Sequence, residues 1–378
     1  MLLVSEPIIG QHESAAIARV INSGWITMGD NVRAFEQSFA LMHGAEDSVA
    51  VSSCTAALHL IVHALGIGPG DEVLVPAMSF VATANCVLYA NATPTFVDIA
   101  SLKCPLMSIE DAERKCNSRT KAVILVHFAG YFDEREKWRE FARTHGLFLI
   151  EDAAHAPGIT AAGTYGDAAA FSFYGNKNMT TAEGGAVIAR DPSLLDHIRR
   201  LRGHGMTSGT HQRMTSRTAN YDVTMLGFNY RMDELRAAFG LAQLKNLRRW
   251  NSIRAKLAGA YRQLIMHYCP SVIVPFTRSM LSSHHIMPVI LPADVDRQRI
   301  VDCLRDAGIQ TTIHYPPIHR LTYYRTRYPG ISLPISETFA GRELTLPLHP
   351  RMTQGTVEKV VATLALALTP EKSKRELA

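Results

Sequence analysis

Between residues 48 and 190, short and almost wholly apolar runs alternate with stretches patterned for helices. "SVAVSS" (48–53) leads into a segment with Leu58, Ile61, Val62 and Leu65 on one face, the i, i+3, i+4, i+7 spacing of an amphipathic helix. "EVLVP" (72–76), "TPTFVDI" (93–99), "AVILVHF" (122–128) and "LFLIEDA" (147–153) follow, with helical stretches near 80–90 and 134–145 between them. Strands this apolar have no face to turn to water, and intervening helices supply the crossovers that parallel strands need. The pattern predicts an α/β fold with a mostly parallel central sheet flanked by helices. Ligands of such sheets bind at the carboxyl ends of the strands.

Near Trp250 the pattern changes. A helical stretch from Met232 to about Leu264 gives way to "HYCPSVIVP", "HHIMPVILP", a helix near 297–307 and "LTLPLHP", the make-up of a smaller α+β domain. With 378 residues, the expectation is a large domain over 1–247 and a small C-terminal domain over 248–378.

Composition narrows the function. No apolar run reaches the length of a membrane helix, and the N-terminus lacks the basic and apolar regions of a secretory signal, so a cytoplasmic protein is expected. Six scattered cysteines without a C-x-x-C pair argue against a zinc site or a disulfide framework. His59 and His63 have i, i+4 spacing but lack the glutamate of H-E-x-x-H and a nearby third ligand, so no metal is expected. A net charge of +5 and short basic clusters at Arg199–Arg202 and Lys245–Arg249 read as solvated helix faces, not as a nucleic-acid stripe. The Gly-rich "GIGPGDEVLV" precedes its strand, the reverse of the order in a dinucleotide fingerprint.

Three features fall on the carboxyl edge of the predicted sheet. "SSCTAAL" (52–58) turns from strand to helix, so Ser53, Cys54 and Thr55 present backbone N–H groups to an anion, or form an ordinary N-cap. Asp152 ends "LFLIED", where a carboxylate needs a partner, a cap or a salt bridge. Lys177 sits in the polar turn "YGNKNMTTAEGG" between two buried strands. An anion cradle, a strand-end carboxylate and a lysine on one edge suit pyridoxal 5'-phosphate (PLP): the lysine forms a Schiff base, the aspartate keeps the pyridinium protonated, and the helix terminus holds the phosphate.

The residues also carry a resemblance. "SGWITMGDNVRAFEQSFA", "VSSCTAALHL", "GPGDEVLVPAMSFVATANCV", "IEDAAHAPG", "FSFYGNKNMTTAEGGAV", "LGFNYRMDELRAAFGLAQL", "IHYPPIH" and "LTLPLHP" occur in this order along nearly the whole chain. In them the chain resembles the DegT/StrS family of sugar aminotransferases, within the aspartate-aminotransferase fold group (fold type I). The resemblance implies that Lys177 carries PLP and shuttles the proton, and that Asp152 is the pyridinium partner. By the same likeness His155 contacts the ring hydroxyl, Phe80 stacks on the ring, and Cys54, Thr55 and Ser172 hold the phosphate. Asn229 matches a residue that reaches the phosphate from the neighbouring subunit, which implies a homodimer with shared sites. Trp25, Thr27, His314, Tyr315 and His319 are candidate substrate residues, although "IHYPPIH" also reads as a rigid Pro turn.

The chain departs from the family's pattern at Cys54-Thr55, at Ala182-Glu183-Gly184-Gly185 and at "YGNK", where Gly175 and Asn176 flank the lysine. Relatives that dehydrate sugars have lost that lysine, so its presence favours transamination. The expected activity is amination of a nucleotide-linked 4-keto or 3-keto hexose, with glutamate as donor. A glutamine-dependent keto-cyclitol aminotransferase and a non-catalytic PLP-binding regulator are the alternatives. The polar segment 204–222 is expected to be a mobile substrate loop.

Overall fold

The computed structural model describes residues 1–132, 134–209, 213–214, 220–277 and 279–369. Two helices, α1 (Gln11–Ser23) and α2 (Asp30–Met42), precede the alternating region. Then come β1 (Val49–Val51), α3 (Cys54–Ala64), β2 (Glu72–Pro76), α4 (Ala82–Tyr89), β3 (Thr93–Val97), α5 (Ile109–Lys115), β4 (Thr120–Val126), α6 (Arg135–His145) and β5 (Phe148–Asp152). The strands β6 (Ala168–Ser172) and β7 (Gly185–Ala189) lead to α7 (Pro192–Leu201) and α8 (Glu234–Tyr268). The chain ends in β8 (Met287–Ile290), α9 (Arg297–Asp306), α10 (Thr322–Arg327), α11 (Pro334–Arg342), β9 (Glu343–Leu346) and α12 (Gln354–Leu368).

The seven-stranded sheet has the order β1-β7-β6-β5-β4-β2-β3. Pairing is parallel from β6 to β3, as the apolar strand pattern predicts, and only β7 runs antiparallel, between β1 and β6. Both faces are covered because successive side chains point opposite ways. In β4, Ala122 and Ile124 join the core under α3, α4 and α7, whereas Val123 and Leu125 join Trp138 and Phe141 of α6. Burial of every β2 residue follows from the same two-sided cover.

The 35-residue α8 serves two cores. Ala237, Leu244 and Leu247 pack toward the sheet with Phe35 and Phe39 of α2. Further along, Leu257, Tyr261 and Ile265 pack with the two-stranded β8-β9 sheet, α9 and α12. The boundary expected at 247/248 therefore lies inside one continuous helix, near the point where its partners change. Residues 210–212 and 215–219 of the expected substrate loop lie outside the described residues; its flanks are joined by a bridge between Met206 and Val223.

Candidate active site

The carboxyl ends of β1, β5 and β6 converge on Lys177. Ser53 caps α3 by accepting the Ala56 N–H at 3.1 Å, and the first intrahelical bond is made by the Ala57 N–H to the Ser53 carbonyl. The amides of Cys54 and Thr55 precede that bond and face outward at the positive end of the helix. β7 begins against this turn at Gly185, where a Cβ would stand 2.6 Å from the Ser53 carbonyl carbon and 2.7 Å from the Cys54 nitrogen. A Gly185→Ala change must therefore displace backbone. It is expected to cost about 1–3 kcal/mol of stability and to weaken PLP binding, measured by thermal melting and spectroscopic titration. Wild-type values of both would show that the turn tolerates a side chain.

Asp152, the last residue of β5, is 5% exposed. Its Oδ2 accepts the Thr83 hydroxyl at 2.8 Å and its Oδ1 accepts the Ala154 N–H at 3.2 Å, with the Cys54 thiol 4.0 Å away. Burial pushes the carboxyl pKa up, opposed by those two hydrogen bonds and by the charges of Lys177 and His127. Lys177 is held in its turn by its backbone N–H to the Tyr174 carbonyl, 2.9 Å. Burial pulls its amine down to about 8 against the opposing pull of Cys54 and Asp152. An amine so placed is partly neutral near physiological pH.

His155 accepts the Ala129 N–H on Nδ1 at 3.2 Å, which leaves its proton on Nε2, 3.0 Å from the Tyr315 hydroxyl. Burial and the Lys177 charge keep this ring neutral by driving its pKa well below the usual range. Phe80 stands over the opening, 59% exposed, with its ring centroid 6.2 Å from that of Tyr315. Ser172 is buried at the end of β6, its hydroxyl accepting the Tyr174 N–H at 3.3 Å. His314 lies at the same cleft: its Nδ1 is 2.9 Å from the Thr345 hydroxyl, and burial plus the Lys177 charge lower its pKa to about 4.

Other candidates are placed elsewhere. His319 is buried against Glu337, with its Nε2 2.9 Å from Oε1, and beside the Phe96 ring. Thr27 lines a cavity of about 810 Å³ with Met28, Arg33, Arg199, Arg202 and Arg231, whose lining includes none of Lys177, Asp152, His155 or Phe80. The Trp25 indole N–H points to the Met28 carbonyl at 3.5 Å, and exposed Asn229 bridges to Gly203 on the rim of that cavity. His59 Nδ1 lies 3.1 Å from the Tyr230 hydroxyl, and its ring is 6.4 Å from that of His63.

Two supporting residues escape a reading of the sequence. Thr83 lies under Asp152 and is itself 2.7 Å from the Ser79 hydroxyl. Asn178, which reads as a turn residue, is buried beside Lys177 and donates to Asn251 at 2.8 Å and to the Ser283 carbonyl at 2.9 Å. Its carbonyl meets His285 Nδ1 at 2.9 Å. No local pattern separates it from an exposed Asn; only its pairing with distant residues does.

A lysine amine held near neutrality, a buried carboxylate within its field, unengaged amides at a helix start and an uncovered aromatic ring fit pyridoxal phosphate. Together with the sheet they define a fold type I PLP-dependent aminotransferase. The chain belongs to the DegT/DnrJ/EryC1/StrS aminotransferase family, whose model matches residues 7–365. It is 38% identical over 370 residues to the spore coat polysaccharide biosynthesis protein SpsC of Bacillus subtilis (strain 168), covering 94% of both chains. The aminotransferase TlmJ from Streptoalloteichus hindustanus superposes with a TM-score of 0.90 at 32% identity, over 97% of this chain and 99% of TlmJ. Spr1654 from Streptococcus pneumoniae, assigned as a sugar aminotransferase, has a TM-score of 0.88 in its PMP form at 26% identity, over 96% and 98% of the two chains, and is also solved in a PLP form. The protein is a PLP-dependent sugar aminotransferase.

Proposed function

We propose that this enzyme moves the amino group of glutamate to a nucleotide-linked 3- or 4-keto-hexose. The observation that carries the reading is the placement of the Lys177 amine, pulled down to about 8, beside buried Asp152 at the start of α3. Bound PLP supplies an electron sink for the carbon that gains or loses a proton. Around it, Asp152 keeps a ring nitrogen protonated, and the Cys54 and Thr55 amides with the Ser172 hydroxyl take the phosphate. Phe80 covers one ring face and His155 orients the ring hydroxyl. Lys177 accepts and returns the proton at its Nζ.

The active unit in this reading is a homodimer. This reading assigns Asn229, which bridges to Gly203 on the rim of the cavity, to the site of a second copy, and with it Thr27 of the cavity lining and Trp25 beside Met28. Six free cysteines suit a reducing compartment such as the cytoplasm.

The test is the visible absorbance of the PLP-loaded protein. Glutamate is expected to bleach the cofactor band, and dTDP-4-keto-6-deoxyglucose or a nucleotide-linked 3-keto-hexose to restore it. Recovery only with a keto-inositol would replace the nucleotide-sugar reading with a cyclitol one. A band that neither glutamate nor glutamine moves would overturn transamination.

A further inference from the structure

Behind His314 lies a buried chain of hydrogen bonds that ends in a carboxyl group. Glu343 and Thr345 are two apart on β9 and so share one face, and each is 0% exposed. Glu343 Oε2 accepts the backbone N–H of His314 at 2.9 Å, and its Oε1 is 2.6 Å from the Thr345 hydroxyl. That hydroxyl is in turn 2.9 Å from His314 Nδ1. The segment is held in place by reciprocal backbone bonds between Thr312 and Thr345, 3.2 and 2.8 Å. His314 Nε2 takes no part in this chain.

We propose that Glu343 is a positioning residue: through Thr345 it sets which nitrogen of His314 carries the ring proton, and so whether Nε2 meets an oxygen of the keto-sugar as donor or as acceptor. The inference rests on the reading that the Lys177 cleft takes a keto-sugar. It follows from counting protons. Thr345 has one hydroxyl proton and neutral His314 has one ring proton. When Glu343 is ionised, Thr345 must donate to it, must then accept from Nδ1–H, and Nε2 is left as a lone pair. When Glu343 holds a proton on Oε1, it donates to Thr345, Thr345 donates to Nδ1, and Nε2 carries the hydrogen. The His314 backbone N–H to Oε2 is satisfied in both arrangements.

Glu343 is suited to hold both states. Among the described residues no cation pairs with its carboxyl group. Arg297 of α9, whose charge opposes the effect of burial on Glu343, gives its hydrogen bonds to the backbone carbonyls of Ala340 and Glu343, and neighbouring Arg342 donates to the Leu291 carbonyl. His314 and Tyr315 face the group from the preceding segment, and Thr345 faces it from its own strand. Burial raises its pKa to about 8. Near neutrality the proton is on Glu343, and His314 offers N–H to the cleft; above about 8 it offers a lone pair.

The experiment is imidazole 15N NMR on the PLP-loaded enzyme, with His314 assigned by its absence in a His314→Asn sample. In the wild type, the His314 proton is expected to move from Nε2 to Nδ1 between about pH 6.5 and 9.5. Glu343→Gln discriminates, because its carbonyl must face the His314 N–H and its NH₂ must then donate to Thr345. That variant holds the proton on Nε2 throughout this pH range. Thr345→Val removes the transition and Thr345→Ser keeps it, which decides the matter even if the glutamine variant folds poorly. With dTDP-4-keto-6-deoxyglucose as probe, KM is expected to rise about tenfold more in the wild type than in Glu343→Gln over the same range. A wild-type tautomer that does not change, or that changes identically in Glu343→Gln, overturns the relay. Equal KM profiles overturn the contact with the sugar. Failure of glutamate to bleach the cofactor band would refute transamination itself, and the NMR result would still decide the relay.

Discussion

Lys177→Ala is expected to lower amino-group transfer by about 10⁴-fold, the upper range for loss of a positioned acid–base group, with little change in melting temperature. The two effects separate because of how Lys177 is held. Its turn is fixed by backbone bonds and by Asn178, not by the side chain, so the loop survives truncation. The amine is costly to bury, as its descent to about 8 records, so its removal relieves the apoprotein. In the wild type only the neutral amine attacks an aldehyde. The rate of PLP attachment to the apoenzyme is therefore expected to rise with pH and level off above about 8. Single-turnover absorbance with glutamate measures the loss, and added methylamine should restore a few per cent by supplying the missing base. A variant that keeps a tenth of wild-type activity would mean that another group moves the proton.

Much of this site is written in local sequence, and the parts that are not share a cause. Apolar runs bounded by helices give the parallel strands, and strand ends give Asp152 and the α3 turn, because each depends on neighbours a few residues away. The direction of β7 was readable in principle: the link 173–184 contains no helix, and a strand that returns without a crossover pairs antiparallel. Thr83 under Asp152 and the chain from Glu343 to His314 are different. Each partner looks ordinary in its own segment, and the pairings join positions 69 residues apart in the first case and 29 and 31 apart in the second. "IHYPPIH" shows the limit from the other side. One motif sends His314 and Tyr315 to the cleft and His319 to Glu337, since the 3-10 turn Ile318–Arg320 rotates the last histidine away. A rigid Pro-Pro turn makes such a divergence possible, but nothing within the motif states its direction.

Asp152→Asn should lower turnover by about 10²–10³-fold and leave the fold within about 1 kcal/mol of wild type or slightly more stable. The stability half follows from the hydrogen bonds. An asparagine carbonyl can accept the Ala154 N–H as Oδ1 does now, and its NH₂ can donate to Thr83. Thr83 then turns its own proton to Ser79, 2.7 Å away, so every partner stays satisfied. What disappears is a buried charge. A carboxyl whose folded pKa is raised binds its proton more tightly in the folded state, so its ionisation costs stability as pH rises through the folded pKa. The amide avoids that cost, and the variant's relative stability should improve from the ordinary carboxylate range upward. Activity moves the other way because a neutral amide cannot hold a ring nitrogen positive, and the electron sink weakens. Loss of the Asp152 charge also removes one of the two groups that raise the Lys177 pKa, so PLP attachment should level off below about 8. Thermal melting of the apoprotein, beside the glutamate half-reaction, reads both sides at once. A fall in both together would mark Asp152 as a structural residue, because only a carboxylate placed for chemistry gives a stable protein when neutralised and an inactive one.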